Sequence, residues 1–80
     1  MMNQKQKASA YDALKLVEKF NSLYPIGSKV MIRKIAIKSA LYEQVTVNKK
    51  AITLNEIQPV ASFEEISGYF SIEPAFVKYP

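Results

Sequence analysis

The stretch Ser28-Lys29-Val30-Met31-Ile32-Arg33-Lys34-Ile35-Ala36-Ile37 decides how the chain folds. Val30 and Ile32 alternate with Lys29, Met31 and Arg33, the period of two expected of a strand with one buried face. Beyond Arg33 the apolar parity shifts to Ile35 and Ile37. A bulge or sharp bend at Arg33-Lys34 would return both sets to one face, so the stretch predicts a bent strand in a small, strongly curved antiparallel sheet.

Upstream the pattern is different. Ala13, Leu16, Val17, Phe20 and Tyr24 recur at helical spacing, with Asp12, Lys15, Glu18 and Lys19 on the opposite side. That is an amphipathic helix over about 10–23, opened by Ser9 with Asp12 three positions on. Pro25 ends it, and Tyr24-Pro25-Ile26-Gly27 fits a type I turn. Met1–Lys7 is polar and reads as a tail, giving a flexible segment over 1–8 and one domain over 9–80.

Downstream, Leu41 to Val47 is a second strand, with Val45 and Val47 alternating against Gln44 and Thr46. Asn48-Lys49-Lys50 fits a turn, and 51–57 fits either a strand or a helical turn. Pro59 to Phe63 is a third strand, with proline at its start where a missing donor does least harm. Glu65-Ile66-Ser67-Gly68 reads as a turn before Tyr69–Ile72, Glu73-Pro74-Ala75 as a tight turn, and Phe76–Tyr79 as a closing strand. The expected fold is mainly β with one N-terminal helix (α+β): an antiparallel barrel over about 28–79, capped by the helix.

The composition narrows the chemistry. In 80 residues there is no cysteine, histidine or tryptophan, so disulfides, thiolate nucleophiles and the commonest metal ligands are absent. No cofactor is expected. No run of about 18 apolar residues exists to span a membrane. Met1–Lys7 lacks the apolar core of a secretory signal, so the expected compartment is the cytoplasm. The net charge of +4 is uneven. Residues 1–50 hold ten Lys/Arg against three acids, and residues 51–80 hold Lys78 against four glutamates.

The run Ile66-Ser67-Gly68-Tyr69-Phe70-Ser71-Ile72-Glu73-Pro74-Ala75-Phe76-Val77 resembles the end of Src-homology-3-like barrels: glycine turn, strand, proline-bearing connector, short aromatic-valine strand. Pro25-Ile26-Gly27-Ser28-Lys29-Val30 is similar to the first strand of bacterial members. The pattern Ala51-x-x-Leu54, Pro59-Val60, Phe63-Glu64, Ile66-Ser67-Gly68 resembles small uncharacterised proteins of phages and mobile elements. The resemblance covers residues 25–79 and implies a barrel without a settled activity. Ala40-Leu41-Tyr42-Glu43 looks like the Ala-Leu-Tyr-Asp motif of eukaryotic signalling barrels. Polyproline binding does not follow, because the paired tryptophans are missing and the motif would leave Val30–Ile37 outside the barrel.

No catalytic constellation is visible. Adjacent Glu64 and Glu65 would point to opposite faces of a strand, Ser67 has no base beside it, and Gly27 and Gly68 cannot make a phosphate loop. The chain is therefore expected to bind rather than to catalyse. One candidate is a protein-partner surface through Tyr69, Tyr79 and Tyr42, as in a phage factor that engages a host complex. The alternative is a nucleic-acid face of Arg33, Lys34, Lys38, Lys49 and Lys50, with Tyr42 or Tyr69 as stacking platforms. A homodimer through the helix stripe or an edge strand is a further expectation. The mixed charges of the helix argue against a membrane surface.

Overall fold

A computed structural model describes residues 2–80, with side chains from Asp12 onward. The elements are helix α1 (Met2–Leu23) and strands β1 (Lys29–Ile32), β2 (Glu43–Leu54), β3 (Gln58–Phe63) and β4 (Ile66–Ser71). The strands form one antiparallel meander in the order β1-β2-β3-β4. The protein is thus a small α+β fold. The sheet does not close into the expected barrel, because β4 pairs only with β3. One further bridge, Ile32 to Val77, brings the C-terminal segment onto the other edge of β1. The expected closing strand is reduced to that contact.

Helix α1 starts earlier than the expected position 10. Gln, Lys and Ala, which dominate this stretch, are favourable helix formers, so no break forces a later start. The side chains of the expected polar tail and of Ser9 lie outside the described residues. The helix ends where Pro25 requires, its last bond running from Tyr24 N to Phe20 O at 2.7 Å. The turn lies one residue later than expected: Ser28 N donates to Pro25 O, and Gly27 takes a φ of +95°. That conformation suits the third position of a type II turn, which glycine tolerates.

The helix stripe is covered by the sheet. Val17 and Phe20 are buried against Val30, Ile32, Val45, Val47, Ala61, Phe63, Ile72 and Val77, with Leu16 and Tyr24 half-buried at the margin, and Ala13 on the same stripe is buried as well. Phe20 meets Phe63 edge-on at 6.2 Å between ring centroids.

Strand β2 carries the curvature. Its first residues pair with β1, and from Val47 onward it pairs with β3. Register shifts between Val47 and Lys49, and again between Lys49 and Ile52, mark two bulges within six residues. The expected turn at Asn48-Lys49-Lys50 is therefore a bend in a continuous strand. A bulge takes backbone groups off the ladder, and Asn21 of α1 serves them. Its Nδ2 donates to Ala51 O (3.1 Å), and Ala51 N donates to its Oδ1 (2.7 Å).

The ambiguous stretch 51–57 is strand to Leu54 and then a tight turn, with Asn55 and Glu56 at φ of 51° and 65°. Two successive positive φ values at the centre of the Leu54–Ile57 turn are those of a type I′ turn, which Ile57 extends to a three-residue loop before Gln58 pairs with Leu54. The next turn is Glu64-Glu65, not Glu65–Gly68. Gly68, at φ +76°, instead occupies an irregularity inside β4, where the register slips between Ser62 and Phe63.

The Glu64-Glu65 turn fastens the point where β2 changes partners. Glu64 N donates to Thr46 O (2.9 Å). Thr46 N and Oγ1 donate to the Glu65 carboxylate at 2.6 and 2.8 Å. Lys29 Nζ donates to Thr46 Oγ1 at 2.8 Å. The bond from Thr46 N, followed by that from its hydroxyl and the Lys29 charge, outweighs desolvation and holds Glu65 below the usual carboxylate range.

Candidate functional site

Between β1 and β2 the chain leaves the sheet for ten residues, 33–42. Ile35 and Ile37 were expected to join Val30 and Ile32 on the core face. They do not: Ile35 is 59 % exposed and Ile37 53 %. Arg33 explains the departure. Its N donates to Phe76 O at 2.8 Å, which commits the end of β1 to the C-terminal segment. Its Nε donates to Ala75 O and its Nη1 to Ile37 O, both at 2.8 Å. The loop is then braced internally by Ile37 N to Ile35 O and Ala40 N to Ile37 O.

Tyr42 closes the base of the loop. Its ring lies 5.2 Å from the Arg33 guanidinium carbon and 5.6 Å from Lys78 Nζ, the geometry of cation–π attraction on both counts. Leu41 beside it is 89 % exposed. Lys34 reaches Glu43 at 3.9 Å, an exposed pair worth about 0–1 kcal/mol. Lys38 is exposed near the tip. The loop thus displays three aliphatic side chains beside Lys34 and Lys38, while Arg33 is engaged in holding its shape.

The remaining candidate residues divide. Lys49 and Lys50 are exposed on the bulged part of β2, a different segment from the 33–42 loop. Tyr69 is 47 % exposed on β4. Tyr79 is half-buried: its hydroxyl donates to Ile72 O at 2.5 Å, and its ring meets Phe20 and Tyr24. Burial, with a smaller contribution from Tyr24, pushes its phenol well above the usual range. Lys19 Nζ sits 5.3 Å from the Tyr79 ring centroid and covers it further. The three tyrosines therefore stand in three settings: Tyr42 clasped by cations, Tyr69 open, Tyr79 built into the core margin.

A concavity away from these residues has no signature in the sequence. Asp12 and Leu16 of α1, Ile57 in the β2–β3 turn, Pro59 of β3, and Glu73 and Pro74 line a groove of about 340 Å³. Its floor is aliphatic and its polar groups are two exposed carboxylates. Three segments distant in sequence make it, so no local motif announces it.

No protein-family model matches the chain, and no curated protein or solved structure is significantly similar to it. Among the described residues, no helix is long and apolar enough to cross a membrane.

Proposed function

We propose that this chain is a non-enzymatic protein-binding module whose docking element is the 33–42 loop, carried on a Src-homology-3-like scaffold. The observation that carries the reading is the display of Ile35, Ile37 and Leu41 on a loop braced by Arg33. Aliphatic side chains held in water by a defined backbone gain by being covered, at roughly 25 cal/mol per Å² of apolar surface removed. Lys34 and Lys38 alongside them favour a partner surface with acidic groups around an apolar centre. The scaffold reading is supported by the bent β2, which serves both β1 and β3, and by the return of Val77 to β1.

A nucleic-acid partner fits less well. Binding of single strands calls for open aromatic platforms beside the cations. Here Tyr42, the aromatic beside Arg33, is already clasped by Arg33 and Lys78, the open Tyr69 lies on β4 and outside the loop that carries Lys34 and Lys38, and the exposed apolar side chains of that loop are aliphatic.

The test is capture of proteins by the immobilised chain from a bacterial lysate to which the free chain has been added, with and without nuclease. The comparison is Ile35→Ser/Ile37→Ser/Leu41→Ser, which should keep the fold because all three side chains are exposed. The expected result is a set of bound proteins that survives nuclease and disappears with the triple variant. Loss on nuclease treatment moves the reading to nucleic acid. Equal capture by the triple variant overturns the loop assignment.

A further inference from the structure

We infer that the partner of the 33–42 loop is a second copy of this chain, whose acidic groove receives the loop. The inference rests on the reading of the loop as the docking element and goes further by naming what it docks into. Two features of one molecule are complementary in both polarity and charge. The loop offers Ile35, Ile37 and Leu41 with Lys38 and with Lys34, whose long, exposed contact to Glu43 at 3.9 Å is weak enough to exchange for a partner's carboxylate. The groove offers Leu16, Ile57, Pro59 and Pro74 with Asp12 and Glu73. Its volume, about 340 Å³, lies at the low end of the roughly 300–1,000 Å³ of ligand sites and suits a few inserted side chains.

The two features are also neighbours. Glu73 and Pro74 form one wall of the groove, and the next two residues, Ala75 and Phe76, provide the carbonyls that anchor Arg33 at the root of the loop. Donor and acceptor surfaces therefore flank one turn. A two-fold axis beside that turn lets each copy give its loop to the other's groove, so the association is reciprocal and stops at a dimer. Ammonium groups meeting carboxylates at a partly desolvated interface set the register, while the aliphatic contacts supply most of the affinity.

Sedimentation equilibrium of the full chain up to millimolar concentration, at low and at high salt, tests this. The expected result is a dimer that weakens about tenfold at high salt, as screened charge pairs require. Lys34→Glu/Lys38→Glu and Asp12→Lys/Glu73→Lys, all at exposed positions, should each weaken the dimer at least about tenfold. Combining both pairs in one chain should restore it. Circular dichroism of each variant checks that the fold is kept. A wild-type chain that stays monomeric throughout overturns the inference and leaves the loop reading to the lysate experiment. A dimer broken by Ile35→Ser/Ile37→Ser/Leu41→Ser but indifferent to Asp12→Lys/Glu73→Lys overturns the groove assignment alone. A dimer indifferent to both overturns the loop as well.

Discussion

Asn21 is the residue whose role is most out of proportion to its appearance. In sequence it is a polar residue near the end of an amphipathic helix. In the fold it replaces a piece of missing ladder, donating to Ala51 O and accepting from Ala51 N across thirty positions. Asn21→Ala leaves both groups without a partner and should cost about 1–3 kcal/mol, read as a lower urea midpoint. Asn21→Asp keeps the acceptor and loses the donor, so it should fall between wild type and alanine.

Glu65 makes a prediction about pH. Thr46 stabilises the ionised carboxylate in the fold, so the folded pKa lies below the unfolded one. The stabilisation is complete at neutral pH. It begins to fall as pH drops through the unfolded value, about 4.3, and is gone below the folded value. Glu65→Gln should flatten the acid limb of a stability-against-pH curve and leave its alkaline limb in place. An unchanged acid limb would show that Thr46 does not hold the carboxylate. Neither residue's role was readable beforehand. Asn21 answers to a bulge thirty residues away, and adjacent Glu64-Glu65 looked divided between two faces until a turn brought both to Thr46.

At the scale of elements, local pattern was informative wherever one neighbour dominates. The helix stripe, the alternation at Val30 and Ile32, and the helix stop at Pro25 all follow from periodicity or from proline's missing donor. The pattern misled where tertiary demands took over. Ile35 and Ile37 have strand-like spacing, yet Arg33 turns the backbone outward by binding Ala75 O and Phe76 O. Asn48-Lys49-Lys50 has turn composition but is carried through as a bulged strand, because β2 must serve both β1 and β3. The groove has no local sequence signature for the same reason, since its walls come from α1, the β2–β3 turn and the 73–74 segment.

The β2–β3 turn is also the element most open to improvement. Glu56 holds a left-handed φ of 65° after Asn55, where type I′ turns favour Asn-Gly. A left-handed conformation costs a side-chain-bearing residue about 1–2 kcal/mol. Part of that gain is offset by the greater unfolded freedom of glycine, so Glu56→Gly should stabilise by about 0.5–1 kcal/mol. Thermal unfolding would register a higher midpoint, and a lower one would refute the turn type.

For the molecule as a whole, a single aromatic side chain joins the two layers. Phe20 is fully buried and touches Phe63, Tyr24 and Tyr79. Truncating such a residue costs about 3–5 kcal/mol, and small domains are stable by only about 5–15 kcal/mol. Phe20→Ala should therefore lose a large share of the stability of so small a domain, read as a steep fall in the thermal and urea midpoints. Phe20→Leu should remain folded with a lower midpoint.

The bridge between Ile32 and Val77 sets a condition on how the chain acquires its fold during synthesis. β1 is made before β2, β3 and β4, yet its outer edge has no partner until residue 77 emerges. Phe20, made earlier still, meets Tyr79 only after that. While translation continues, the nascent helix and meander present an uncovered strand edge and a half-covered apolar stripe, the two features that recruit chaperones or promote association. Completion of the core is thus tied to the emergence of the segment around Val77.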